Sequence, residues 1–454
     1  MSRPDLQHPA SSQPTPARRE GLAAQKEAAS RGAPGITVVG AGAAGLAAAI
    51  LAAATLRGRA AVFLVDSARR PGAKILISGG GRCNVTHDHV RASDFNGDPA
   101  FVRRVLRAWD ENRTVAWFRE LGVDLKREET GKLFPTSDCA QTVLDALRGR
   151  AGALGVTELL GARVETVLAG ERGFEIETTR GALRARHLIM ATGGRSLPKS
   201  GSDGSGWRIL QALGHSVTST HTALVPLVLA PAFFHRELQG LAADVEVSVW
   251  VEGKLVDRRQ GSLLFTHFGV SGPAAMDASR HWTAAHDLGR KAEVRCNFAP
   301  GAGGEEVQGW FLAAARETPR RHPSVALAAY LPGRLAEQVT RYARIAPELR
   351  LAELTRRQRA DLAAAITRLC LPVVGHRGWN HAEVTAGGVP LSEVDAGSMA
   401  SRRVPGLFLA GELLDCDGRI GGFNFQWAWA TGAIAGTAAA TSLITDPPSG
   451  PVTK

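Results

Sequence analysis

"GITVVGAGAAGLAAAILAAATL", residues 35–56, decides the fold. Ile36–Val39 is a short apolar run and reads as a buried strand. Gly40-Ala41-Gly42-Ala43-Ala44-Gly45 follows at once. From Leu46 the chain runs for more than two turns without proline or glycine, as a helix does. Between a strand and a helix, the spacing G-x-G-x-x-G has a mechanical meaning. Gly40 makes the tight turn, Gly42 lets a pyrophosphate touch bare backbone, and Gly45 lets the helix pack on the strand. The helix N-terminus then faces the phosphates. The next apolar run, "AAVFLVD" (60–66), ends in Asp66, where an acid is expected to bond a ribose hydroxyl. Strand, helix and strand open a doubly wound α/β sheet.

Further along lies "KILISGGGRCNVTH" (74–87). Three successive glycines neither pack nor stiffen a strand, so the loop exists for its backbone to come close to something. Two apolar strands end in a similar manner: "IMATGG" at Thr192-Gly193-Gly194, and "GLFLAGELLD" at Gly411-Glu412. This pair resembles the secondary motifs of flavoproteins with two dinucleotide-binding domains, and it decides for FAD over NAD. In such proteins the strand ending in an acid binds the ribityl and pyrophosphate side of FAD, the place Glu412 takes here. Gly421-Gly422-Phe423-Asn424 opens an Ala-rich helix whose amides and positive dipole end suit the electron-rich edge of a reduced flavin. In glutathione-reductase-like flavoproteins the stretch after the ribose acid passes the pyrophosphate and reaches the isoalloxazine ring. Gly79, Gly80, Gly81, Arg82, Cys83 and Asn84 occupy that place. The glycines supply amides, Arg82 can meet a phosphate or an anionic flavin, and Asn84 can bond the ring edge. Lys74, Ser78 and Val164 complete the expected cofactor-binding set. A single cysteine there excludes a dithiol relay, and Cys83 is either a small packed residue or a proton donor or thiol nucleophile.

The 454 residues allow two or three domains. Residues 1–34 read as a disordered tail. An FAD-binding domain is expected from 35–210 and 370–445, interrupted by a β-rich insertion at 211–302 and a helical cap at 303–369. Residues 98–122 and 139–150 look helical, the second capped by Thr136, Ser137 or Asp138. Residues 162–190 alternate like strands. The longest apolar runs are Ala-rich and shorter than the roughly 20 residues of a membrane span. No apolar signal region opens the chain, so a cytoplasmic protein is expected. Five scattered cysteines without a CxxC pair point to neither a metal site nor a disulfide scaffold.

Several stretches together resemble the HI0933-like flavoproteins, the BaiN/RdsA family of NAD(P)/FAD-dependent oxidoreductases, to which aminoacetone oxidase is related. They are "GAGAAGLAAA", "KILISGGGRCNVT", "TGGRSLPKSGSDGSGW", "GSLLFTHFGVSGPAAM", "VTAGGV" and "GLFLAGELLDCDGRIGGFNFQWAWATG". The resemblance implies a split Rossmann-like FAD-binding domain, an inserted β-barrel-like domain and a helical cap, with FAD held non-covalently. It does not carry a substrate, because members differ: bile-acid-type enones, uridine in large-subunit rRNA, and amines. Three functions stay open. The first is NAD(P)H-fed reduction of an activated C=C, with rRNA uridine as one substrate. The second is oxidation of a small amine such as aminoacetone. The third is RNA or ribosome binding with a structural flavin.

Two further features bear on that choice. The formal charge of +11 reads either as the mark of an RNA partner or as an Arg-biased composition. Arg316, Arg320, Arg321, Arg341 and Arg344 are expected to face an anionic partner from the cap. For acid–base work, His267 in "FTHFGVSGP" is a candidate and His381 a weaker one, each with a packing role as its alternative. "SGSDGSGW" (200–207) is Gly-rich but lacks a strand running into it, so no separate nicotinamide fold is expected.

Overall fold

The computed structural model describes residues 35–445; the tail expected over 1–34 lies outside the described residues. Ile36–Val39 is buried along its whole length, as a strand covered on both faces must be. It pairs in parallel with Val62–Asp66 on one side and His187–Met190 on the other. Thr157–Leu160 adds to the first of these, and Leu407–Leu409 adds to the second. The result is a five-stranded parallel sheet whose edge strand comes from far along the chain. Val164–Gly170, Gly173–Thr178 and Gly181–Ala185 form a separate antiparallel meander.

The helix Ala43–Leu56 packs on this sheet and is covered in turn by the long helix Phe423–Thr445. Both are Ala- and Gly-rich, and their backbones nearly touch. A Cβ at Gly432 would lie 2.3 Å from the carbonyl oxygen of Ala44, and one at Gly436 would lie 2.2 Å from that of Ala48. No side chain fits there.

A second sheet has seven antiparallel strands, in the order Leu369–Leu371, Ala292–Asn297, Ala242–Val251, Lys254–Phe265, Gly269–Ser271, Leu227–Leu229 and Val373–His376. The two edge strands are consecutive in sequence, with only Pro372 between them. The sheet therefore rolls towards closure, and Pro372 sits at the corner, where it need donate no ladder bond. This moves one expectation: residues 370–376, placed with the resumed FAD-binding segment, belong with Leu369 to strands of the rolled sheet. The stretch 211–302 is also not β throughout. Pro273–Asp287 is a helix, with Pro273 at a first-turn position where its missing N–H costs nothing.

Two other local expectations change. The predicted helix over 98–122 forms as Pro99–Ala108 and Glu111–Glu120, because Asp98 and Asp110 each cap a new start through the amides of Phe101 and Arg113. The helix Ala140–Ala153 begins at Cys139 with no side-chain cap. Asp138 instead holds Lys126, and Ser137 bonds Thr142. The stretch expected as a helical cap carries the helices Gly304–Glu317, Pro323–Leu327, Gly333–Tyr342 and Arg356–Thr367, and its last residue, Leu369, begins a strand of the rolled sheet.

Gly436→Val tests the helix contact. The clash is with backbone, which cannot rotate away, so the cost belongs at or above the top of the ~1–3 kcal/mol range for overpacking. A lowered urea midpoint is expected, together with lost dinucleotide binding. Gly304→Ala, where a Cβ meets only Thr367 at 3.7 Å, should leave both near wild type.

Candidate functional site

A cavity of about 550 Å³ runs along the ends of the parallel strands, and its wall is built largely from the glycine motifs. At one end lies the turn after Ile36–Val39. Gly40 has φ +104°, and a Cβ there would meet the Ala191 carbonyl oxygen at 2.3 Å. A Cβ at Gly45 would lie 1.7 Å from the Gly40 carbonyl oxygen, so helix and turn touch backbone to backbone. A Cβ at Gly42 would meet no protein atom within 4 Å, because that position opens into the cavity. The helix it begins has no side-chain cap, and Ala43 and Ala44 join Gly42 in the wall. Asp66 lies beside them. Its carboxylate accepts the amides of Ala41 at 2.6 Å and Ala68 at 2.7 Å. Burial pushes that carboxyl up, while the two amides pull it back.

In the middle of the cavity, Lys74 bonds Glu412 at 2.5 Å and Ser196 at 2.6 Å. The Glu412 carboxylate also accepts from Ser196 Oγ at 2.8 Å and from the Thr385 amide at 3.0 Å. Gly411–Leu413 is a single tight turn, with Gly411 at φ +80°. Two indoles hold it: Trp427 donates to the Gly411 carbonyl and Trp207 to the Leu413 carbonyl. Thr431 Oγ accepts the Gly411 amide at 2.9 Å.

The far end is walled by Ser78, Gly79, Gly80 and Asn84 on one side and Gly421, Gly422 and Asn424 on the other. The C-terminal helix fixes both sides. Trp429 donates to the Val85 carbonyl, Gln426 accepts from Thr86, and Asn424 bonds both backbone groups of Gly418. Among the cavity-wall side chains, the buried oxygens Asn84 Oδ1, Thr192 Oγ and Ser202 Oγ have no hydrogen-bond partner among the described residues. Buried polar groups are nearly always bonded. These atoms, the space beyond Gly42 and the cavity's length fit a dinucleotide.

A family model described as the HI0933-like protein Rossmann domain matches residues 34–438. The chain belongs to the HI0933-like family. It is 34% identical over 406 residues to the 3-dehydro-bile acid delta(4,6)-reductase of Clostridium scindens, spanning 89% of this chain and 98% of that one. It is 34% identical over 399 residues to the ribosomal RNA dihydrouridine synthase of Escherichia coli, spanning 87% and 95%. The protein of the same name from Haemophilus influenzae is 29% identical over 400 residues, spanning 87% and 95%. The chain is an FAD-dependent oxidoreductase of this family.

Not every residue expected at the site of this HI0933-like chain reaches the cavity. Of the expected set, Gly40, Gly42, Ala43, Ala44, Asp66, Lys74, Ser78, Gly79, Gly80, Arg82, Asn84, Val164, Thr192, Gly193, Gly411, Glu412, Gly421, Gly422 and Asn424 line it. Gly45, Gly81, Cys83, Gly194 and Phe423 do not. Phe423 is buried and stacks on His87 at 4.9 Å. Gly194 packs against Thr385 and Glu412. Arg82 lines the cavity, but Glu128 at 2.6 Å and Asp138 at 3.6 Å already hold its charge, over the ring of Phe134. His267 is exposed and edges onto Phe268, outside the cavity wall, and His381 bonds Arg377. Cys83 is fully buried, and burial pushes its thiol up to about 12. It packs in the core, outside the cavity wall.

Sequence reading also missed residues. Ser196, from a loop, and Thr385, from the strand Val384–Ala386, brace Glu412 at a point that only the fold brings together. Ser200, Gly201, Ser202, Ser205 and Gly206, from the stretch set aside as lacking a strand before it, line the same cavity.

Gly42→Val should abolish FAD retention while leaving the apoprotein's unfolding midpoint near wild type, since its side chain enters empty space. Thiol titration of the native protein with a disulfide reagent should modify exposed Cys139 and Cys370 and leave Cys83 unmodified until unfolding.

Proposed function

We propose that the cavity holds one FAD along its length and that the protein uses it to reduce a C=C conjugated to a carbonyl. The observation that carries this is the single continuous wall from Gly40 and Asp66, past Lys74 and Glu412, to Asn84 and Gly421-Gly422. Asp66 would take the adenosine ribose, and Gly42 to Ala44 the pyrophosphate. Glu412, with Lys74 beside it, would face the ribityl chain. Asn84 and the amides opening the C-terminal helix would meet the ring edge. FAD, when bound, supplies two-electron transfer to and from carbon. The chain's own work is to hold charge and shape around it. Lys74 balances the charge of Glu412 and orients it; Gly40 and Gly45 keep the helix end close enough for its amides to meet an anion.

The relatives' printed substrates, a bile acid and ribosomal RNA, share one chemical feature: a C=C next to a carbonyl, as in the uracil ring. That supports the reading over amine oxidation. The +11 charge favours the RNA substrate, and NAD(P)H is the proposed reductant.

The test is direct. The purified protein should be yellow and release stoichiometric FAD on denaturation. Under anaerobic conditions, NADH or NADPH should bleach it. A conjugated enone, or an rRNA fragment carrying unmodified uridine, should restore the colour. Stoichiometric FMN or NAD in place of FAD would overturn the cofactor assignment. Bleaching by aminoacetone, with recovery by oxygen, would favour the oxidase instead.

A further inference from the structure

Saturating a C=C takes a proton as well as an electron pair, and neither Cys83 nor His267 opens on the cavity. The cavity wall carries four carboxylates, those of Asp66, Glu128, Glu383 and Glu412. Three are engaged. Asp66 accepts two amides, Glu128 pairs with Arg82, and Glu412 holds Lys74, Ser196 and the Thr385 amide. The carboxylate of Glu383 makes no hydrogen bond or ion pair among the described residues.

The backbone of Glu383 is nonetheless fixed. Its N–H donates to the Leu224 carbonyl at 3.1 Å, and its carbonyl accepts from Ser196 Oγ at 3.2 Å. Its neighbours Ala382 and Val384 are buried. Val384 and Leu224 share a small apolar cluster with Ile420, the residue before Gly421-Gly422. Glu383 is therefore set at the same end of the cavity as the glycines opening the C-terminal helix. Glu383 is exposed by surface area although many protein atoms surround it, and it lines the cavity.

We propose that Glu383 is the acid that protonates the substrate's C=C, an assignment that rests on the reduction proposed above. Reduced FAD, when bound, would supply a hydride equivalent to one alkene carbon. The other takes the Glu383 proton as the O–H bond breaks and a C–H bond forms. The carboxylate left behind regains its proton from water. The protein atoms around Glu383 favour this role by raising its carboxyl from the ordinary value. Lys132 opposes that and Asp277 adds to it. Arg419, also in the wall, is turned to Asp277 and Asp94.

Two readouts test the assignment in the FAD-loaded protein. In the first, Glu383→Gln and wild type are reduced anaerobically, then reoxidised either by a conjugated enone or by ferricyanide, which needs no proton. The ratio of enone to ferricyanide rate should fall by about 10²–10⁴-fold in Glu383→Gln, a range typical for a positioned acid. Glu383→Asp should recover part of it. The second readout is infrared difference titration without turnover. Wild type should show a protonated-carboxyl band that titrates above the ordinary carboxylate range and is absent from Glu383→Gln. An unchanged rate ratio, or no such band, overturns the assignment and leaves the reductase reading standing. Failure of wild type to pass electrons to any conjugated C=C, with FAD bound and reducible, overturns both.

Discussion

The close crossing of two helices, Ala43–Leu56 and Phe423–Thr445, governs the rest of the structure. Gly432 and Gly436 bring one backbone against the carbonyl oxygens of Ala44 and Ala48, at a separation that admits no Cβ. The first helix is the one whose N-terminus opens on the cavity. The second carries Asn424, Gln426, Trp427, Trp429 and Thr431. Through these it positions the loop at Val85–Thr86 and the turn at Gly411. One helix–helix distance therefore sets the spacing between both ends of the site. Small residues make this possible because they let backbones approach without a side chain between them.

The rolled sheet also takes part in the site. Its helix, Pro273–Asp287, sends Asp277 to the Ile420 amide at 2.7 Å and Arg280 to Asp417 at 2.8 Å. These contacts grip the segment just before Gly421-Gly422. Asp277 and Asp417 are almost fully buried, and burial raises both carboxyls despite the neighbouring guanidiniums. Buried ion pairs contribute little net stability and are costly to break singly. Their effect here is to fix one loop relative to two sheets.

What could be read from the sequence had local causes. The turn at Gly40, the opening at Gly42 and the helix contact at Gly45 each follow from the absence of a side chain at one position. The acid at Asp66 follows from strand length. The residues that escaped notice act across long separations. Ser196 lies in the loop after His187–Met190, Thr385 in the strand Val384–Ala386 that pairs with His221–Ala223, and Glu412 just after Leu407–Leu409, so only the tertiary fold brings the three together. Ser202 and Glu383 belong to loops with no motif geometry of their own. Local chemistry also left partners out: Arg82 stands next to the glycines and lines the cavity, and Glu128 and Asp138 arrive from a hairpin and a loop to pair with it. The split at Trp109–Asp110 was visible in the residue types, since aspartate is a strong cap, but the apolar periodicity on either side concealed it.

The order of the five-stranded sheet has a consequence for how the molecule is made. Its central strand is Ile36–Val39, near the start of the described chain, while its edge strand and covering helix lie beyond residue 406. At about 5–20 residues per second, the ribosome needs tens of seconds between them. Through that interval the Ala-rich helix shows its backbone carbonyls to solvent, and the edge of His187–Met190 stays unpaired. The nucleotide fingerprint is synthesised long before the strand and helix that complete its site. A nascent chain halted before Phe423 presents sticky apolar surface without a cofactor to stabilise it, which makes chaperone capture during translation part of this fold's physical situation.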